Sequence, residues 1–161
     1  MIVNRQRRVP LAIQPLQEFY ERARREMRFP PESVTVQFIS DQAMARLNRT
    51  YRNKRGPTDV LSFPANGSKT DAQSEYVGDI AISPETARRN ARRFARSLAE
   101  EIRILILHGM IHLAGFDHET DHGEMDRLEG KLRRRLGIGG RAASRNRMPG
   151  RARAARRKKQ S

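Results

Sequence analysis

The sequence HGMIHLAGFDH, residues 108–118, predicts both the central helix of the fold and a metal site at the end of that helix. His108 and His112 are four residues apart, so on a helix they stand on one face, one turn above the other. Gly115 can end the helix and turn the chain back, which would bring His118 towards the same point. Three neutral imidazoles that converge on one point form a catalytic zinc site with an open fourth position.

The spacing of these histidines resembles the metzincin pattern H-E-x-x-H-x-x-G-x-x-H, with one difference. Gly109 stands where that pattern has its catalytic glutamate. A peptidase must also protonate a poor amine leaving group, whereas phosphodiester cleavage can use the 2′-hydroxyl of RNA or zinc hydroxide as its nucleophile. The missing glutamate therefore favours a nuclease over a peptidase, although Glu101 or Glu119 remains available as a base.

The candidate ligands are imidazoles, which favour one zinc ion over other divalent ions. Because the chain has no cysteine, any zinc must be held by histidine or carboxylate. His122, the fourth histidine, lies among acidic residues and is expected to be a solvated surface residue. Asp117 either orients a ligand imidazole or is an ordinary turn residue.

The rest of the chain predicts an α+β domain in which helices cover a small mixed β-sheet of about four strands. Apolar residues alternate in the candidate strands and recur at helical spacing in the candidate helices. The predicted strands are residues 33–40, 58–63 and 76–83. Four of the predicted helices are residues 15–27, 41–51, 84–96 and 121–137. Between the last two lies a zincin-like central helix, which begins with a capping box at Ser97 and Glu100. The pattern leaves the strand order open.

The net charge of the chain is +15, and much of it lies towards the C-terminus. Residues 138–161 contain nine Lys or Arg and no acid, and their composition cannot bury a core. We therefore predict a metal-dependent domain over residues 1–137 and a basic, disordered tail over residues 138–161. A basic balance favours polyanionic partners, nucleic acid before a membrane surface, while a tail of this kind can also act only to increase solubility.

The N-terminus lacks the apolar core and the small-residue cleavage site of a signal peptide, and no apolar run approaches the length of a membrane span. These features predict a cytoplasmic protein without a membrane partner. The oligomeric state is not indicated by any pattern in the chain.

Three stretches of the sequence together resemble one family. The run at residues 108–118 is similar to H-G-x-x-H-L-x-G-Z-D-H, where Z is Tyr, Phe or His, the signature of the YbeY family of metal-dependent endoribonucleases of bacterial rRNA maturation. LNRTYRNKRGPTDVLSFP, residues 47–64, resembles that family's N-x-x-Y-R-x-x-x-x-P-T-D-V-L-S-F-P block, and GDIAIS, residues 78–83, resembles its strand before the metal-bearing helix. The resemblance covers about residues 30–136 and does not include the basic extension after Gly137.

The resemblance implies a small α+β fold and a single-strand-specific, zinc-dependent endoribonuclease. His108, His112 and His118 match the family's three zinc ligands, and Arg52 matches the arginine that the family needs for activity. The implied roles are 16S rRNA 3′-end maturation and ribosome quality control, with rRNA and the small ribosomal subunit as partners and no DNA specificity expected. The alternatives are a metzincin-like zinc peptidase and a non-catalytic ribosome-associated factor whose zinc is structural.

Overall fold

A computed structural model describes residues 1–65, 75–117, 119–139 and 152–153. The strands are β1 (Ile2–Asn4), β2 (Val34–Phe38), β3 (Val60–Pro64), β4 (Gly78–Ile82) and β5 (Ala152–Arg153). The helices are α1 (Ile13–Glu26), α2 (Asp41–Arg52), α3 (Pro84–Arg93), α4 (Leu98–Leu113) and α5 (Glu124–Leu136). The predicted α+β class is confirmed, with a mixed sheet of four strands extended by the two-residue β5. Most of the predicted tail lies outside the described residues, so its disorder stays a prediction.

The strands follow the order β1-β2-β4-β3-β5. β1, β2 and β4 are parallel to one another, and β3 runs antiparallel to β4. Phe38 pairs with Ile82, and Val60 also pairs with Ile82. The carboxyl ends of β2 and β4 therefore lie together, and α2 and α3, which follow these two strands, begin side by side.

The sheet separates the helices into two layers. The main core cluster packs α1, α4 and α5, together with Ala87 of α3, on one face of the sheet. Leu61 and Ala81 alternate with the core residues Val60 and Ile80, so they face the other side, where a smaller cluster holds α2. Helix α4 is central because its residues from Ile104 to Leu113 are all buried. None of the described helices is long and apolar enough to cross a membrane.

Side chains close to the helix ends set where α3 and α4 begin. Ser83 caps α3 ahead of Pro84, and the Ser97 hydroxyl accepts the N–H of Glu100 at 3.1 Å as the N-cap of α4. The Glu100 carboxylate accepts the N–H of Gly139 at 3.2 Å, so the reciprocal half of the predicted capping box is not formed. The first turn of each helix thus has a hydroxyl acceptor for an otherwise unpaired N–H group.

Candidate metal centre

The two histidines of α4 converge as their spacing predicts. His108 Nε2 lies 3.0 Å from His112 Nε2, and both side chains are buried near the C-terminal end of the helix. Helix α4 ends at Leu113, and Gly115 has a φ of +100°, which favours a glycine and turns the chain out of the helix. His118 lies outside the described residues, so its role as the third ligand stays a prediction.

The second nitrogen of each ring faces an oxygen atom. His108 Nδ1 lies 2.9 Å from Glu129 Oε2, and His112 Nδ1 lies 3.0 Å from the carbonyl oxygen of Phe116. Both oxygens are acceptors, so each ring donates from Nδ1 and presents its lone pair at Nε2. Two such nitrogens directed at one point, each oriented from behind by an oxygen, are a donor set that fits a divalent metal.

A complete three-ligand site is not contained in the described residues. Among them, no group of three or more His, Cys, Asp or Glu side chains is placed to hold a metal ion. The predicted third ligand, His118, lies outside the described residues. The imidazole donors on α4 are suited to zinc, which is commonly bound by histidine.

Glu129 belongs to this centre although no sequence motif marks it. It is buried on α5, and its second carboxylate oxygen accepts from Arg133. Met125, Leu132 and Leu136 are the buried apolar residues of the same helix, and Glu129 occupies a position in their stripe. A carboxylate at an apolar position of a helix needs a buried partner. The position of Glu129 in this apolar stripe is therefore the feature of the sequence that could have indicated its role.

Three other polar residues, Asp117, Asp121 and His122, lie near the turn. The Asp117 carboxylate accepts the N–H of Glu119 at 3.1 Å, as expected of a turn residue. His122 is exposed, which confirms that it is a surface residue. The Asp121 carboxylate accepts the N–H groups of Glu124 and Met125 and so serves the first turn of α5, while the residue at the cap position itself is a glycine.

Arg52 is the last residue of α2 and is half-buried. Its Nη1 donates to the Asn48 amide oxygen at 3.5 Å, and Asn48 in turn donates to the Gly56 carbonyl at 2.9 Å, which ties the following loop to the helix. Burial lowers the pKa of the Arg52 guanidinium, and the negative charge of Asp59 acts in the opposite direction. Its catalytic role stays a prediction.

Gly109 is where α4 makes a close approach to the sheet. A Cβ atom at this position would lie 2.8 Å from Ile80 Cγ2 of β4, and the Gly109 carbonyl accepts the Ser62 hydroxyl at 3.3 Å. A glutamate does not fit here unless the Ile80 side chain shifts, so this packing does not favour the metzincin arrangement. Glu101, an alternative base, is fully buried and forms an ion pair with Arg96 at 2.9 Å.

The α+β fold carries paired histidines at the end of a buried central helix, an arrangement typical of metal-dependent hydrolases. The family model described as Endoribonuclease YbeY matches residues 2–137. By this match, the chain belongs to the endoribonuclease YbeY family. The family predicted from the sequence is therefore confirmed, and an endoribonuclease is favoured over the peptidase and the non-catalytic factor.

Individual relatives agree with the family model. A protein of Koribacter versatilis named Endoribonuclease YbeY is 42% identical over 159 residues, which cover 99% of each chain. One of Solibacter usitatus with the same name is 40% identical over 134 residues, covering 82% of this chain and 86% of the relative. A solution structure of a Thermotoga maritima protein has a TM-score of 0.57 at 27% identity, covering 84% of this chain and 89% of that one.

Proposed function

We propose that this chain is a single-strand-specific, zinc-dependent endoribonuclease that matures the 3′ end of 16S rRNA in the cytoplasm and takes part in ribosome quality control. The observation that carries the proposal is the 3.0 Å approach of His108 Nε2 and His112 Nε2 in a chain of the endoribonuclease YbeY family. In this proposal His118 is the third ligand of one zinc ion, Arg52 is a catalytic residue, and the small ribosomal subunit carries the substrate.

RNA hydrolysis needs a nucleophile, a means to neutralise charge on the phosphate, and a proton for the leaving oxygen. A zinc ion bound by three imidazoles supplies Lewis acidity and makes water a better nucleophile at neutral pH. Glu129 and the Phe116 carbonyl keep His108 and His112 in the tautomer that can bind it. Arg52 offers a planar fork of donors, which suits phosphate oxygens and stabilises the charge that develops on them in the transition state.

The direct test is cleavage of a single-stranded RNA oligonucleotide by purified protein. We expect His112→Ala and Arg52→Glu each to lower the rate by about a hundredfold or more, because one removes a metal ligand and the other reverses a phosphate-binding charge. His122→Ala is the matched control, since this histidine is exposed, and it should cleave like wild type. Undiminished cleavage in both site variants would assign the activity to a contaminating nuclease.

The zinc assignment and the cellular role have separate tests. Elemental analysis of the purified chain should find about one zinc per molecule, and far less in His112→Ala, as expected when one of three ligands is lost. Cells that carry only His112→Ala should accumulate 16S rRNA with unprocessed 3′ ends. Normal 3′ ends in those cells would instead support a non-catalytic role.

A further inference from the structure

The net positive charge of the domain is concentrated on α2, the loop after it, and α3. We call residues 41–59 and 84–93 the basic surface. They contain nine Lys and Arg and three acids, a net charge of +6. The other residues of the domain, up to residue 137, contain fifteen bases and fifteen acids and are neutral overall. The net positive charge of the domain therefore lies on α2, the loop after it and α3.

These two helices form one surface because Asp41, the first residue of α2, binds α3. Its carboxylate accepts from the hydroxyls of Ser83 and Thr86 and pairs with Arg89 at 2.8 Å. The Glu85 carboxylate accepts the backbone N–H of Asp41 at 3.1 Å. Two of the three acids of the basic surface are thus engaged in joining its helices.

Asp59, the third acid, joins α3 to the region of Arg52. It is buried, with one carboxylate oxygen 2.8 Å from the N–H of Val60 and the other 3.2 Å from Nδ2 of Asn90. Its charge also acts on the Arg52 guanidinium. The basic surface is therefore continuous from the exposed side of α3 to the candidate catalytic arginine.

The outward-facing side chains of the basic surface are suited to a single-stranded nucleic acid. Its exposed basic residues are Arg46, Arg49, Lys54, Arg55, Arg88, Arg89, Arg92 and Arg93. Tyr51, directly before Arg52, is 37% exposed and its ring packs edge-on against Phe63. The guanidinium groups of arginine fit phosphate oxygens, and an exposed aromatic ring beside them can stack on a base. A lipid surface has no bases, so the exposed ring favours a nucleic acid.

We infer that the basic surface binds the phosphate backbone of single-stranded RNA and directs the strand towards Arg52. The inference rests on the proposed function, because it takes the substrate to be RNA. Phosphate contacts carry little sequence information, so this surface supplies affinity and orientation and leaves the choice of cleavage site to other contacts.

The test measures binding of a single-stranded 2′-O-methyl oligoribonucleotide over a range of salt concentrations. The triple variant Arg88→Gln, Arg92→Gln, Arg93→Gln removes three exposed charges of α3. Affinity falls with salt, with a slope of log affinity against log salt of about −0.7 for each phosphate of a single strand that the protein neutralises. Losing three contacts should therefore make this slope less steep by about 2. Affinity at low salt should fall by at least about tenfold.

A matched control removes the same charge from another helix. Arg127, Lys131 and Arg134 are exposed on α5, and their joint replacement by Gln should change affinity by less than about twofold. A second variant, Arg46→Gln with Arg49→Gln on α2, should make the slope less steep by about 1.4 if both helices contact the strand. Thermal unfolding of every variant checks that the fold is retained.

Two results would overturn the inference. Equal losses of affinity in the α3 and α5 variants would show that only total charge matters. RNA affinity like wild type in the α3 variant, with weaker binding to vesicles of anionic phospholipid, would make the surface a membrane contact. The proposed function fails separately, if wild-type protein binds RNA with the expected salt dependence and yet does not cleave it.

Discussion

Glu129 follows His108 by 21 residues in the chain, and its carboxylate orients the His108 ring from α5. Arg133 pairs with the other oxygen of the same carboxylate, so Glu129 is held from both sides. His112 is oriented by a backbone carbonyl, which side-chain substitution does not remove. Glu129, a residue outside the histidine motif, therefore orients one of the two buried imidazoles of the motif.

The first prediction concerns Glu129→Gln. The amide keeps the size of the side chain but removes the charge that supports the His108 ring, so zinc affinity should fall by about tenfold to a hundredfold. Competition with a chromophoric chelator measures this without reference to activity. Glu124→Gln, on an exposed position of the same helix, is the control and should bind zinc like wild type. An unchanged affinity in Glu129→Gln would mean that the carboxylate does not support the metal.

The second prediction concerns the close approach of α4 to β4. Gly109→Ala places a methyl group 2.8 Å from Ile80 Cγ2, which should lower the free energy of unfolding by about 1–3 kcal/mol in urea titration. In an Ile80→Ala background the added methyl meets space instead of a side chain, so the same change should cost less. Additive costs in the double variant would show that Ile80 does not limit the size of residue 109.

Between elements, the junction of α2 and α3 depends on one carboxylate. Partial burial acts to raise the pKa of Asp41, but hydrogen bonds from Ser83, Thr86 and Arg89 outweigh it and hold the pKa below its ordinary value of 3.8. A carboxyl group whose pKa is lower in the folded chain than in the unfolded chain stabilises the fold at pH values above its unfolded pKa. That contribution is lost as the pH falls through the folded pKa.

The third prediction follows from this sign. Asp41→Asn should lower the free energy of unfolding at neutral pH by about 1–3 kcal/mol, because three donors lose a charged acceptor. The loss should shrink as the pH is lowered past 3.8, where wild type is also becoming protonated. Denaturant unfolding of both proteins at a series of pH values measures this loss of stability. Glu18→Gln, at an exposed position, is the control. A loss that does not change with pH would contradict an ionised Asp41 as its source.

Over the whole molecule, α4 is enclosed by the sheet, α1 and α5, and the candidate metal centre lies near its C-terminal end. A metal bound there would join α4 to the chain segment that follows Gly115. These histidine nitrogens come together only in the folded chain, so metal binding and folding are linked.

The fourth prediction is that zinc stabilises the fold. At a free zinc concentration about a hundred times Kd, the free energy of unfolding should rise by up to about 2.7 kcal/mol, and a chelator should reverse the gain. His112→Ala should show little of this gain, whereas His122→Ala should keep it. Equal stabilisation of His112→Ala would place the zinc elsewhere in the molecule.

The sequence by itself determined the features that depend on residues close together in the chain. Ser83, Ser97 and Gly137 mark helix ends through interactions within one or two turns of the same helix. The four-residue spacing of His108 and His112 determined that they converge, because a helix repeats every 3.6 residues. The family, and with it the expectation for Arg52 and His118, also followed from local motifs.

Only the tertiary structure decided the features that depend on residues far apart. β1 has three residues, too few to show an alternating pattern, and exists through its pairing with β2. The order of the strands brings α2 and α3 together into the basic surface, and the packing of α5 brings Glu129 to His108. The packing of Gly109 against Ile80 likewise leaves little room for a larger side chain at residue 109. Such long-range pairings depend on which residues are buried and on which partners the buried polar groups find. Both are known only once the chain is folded.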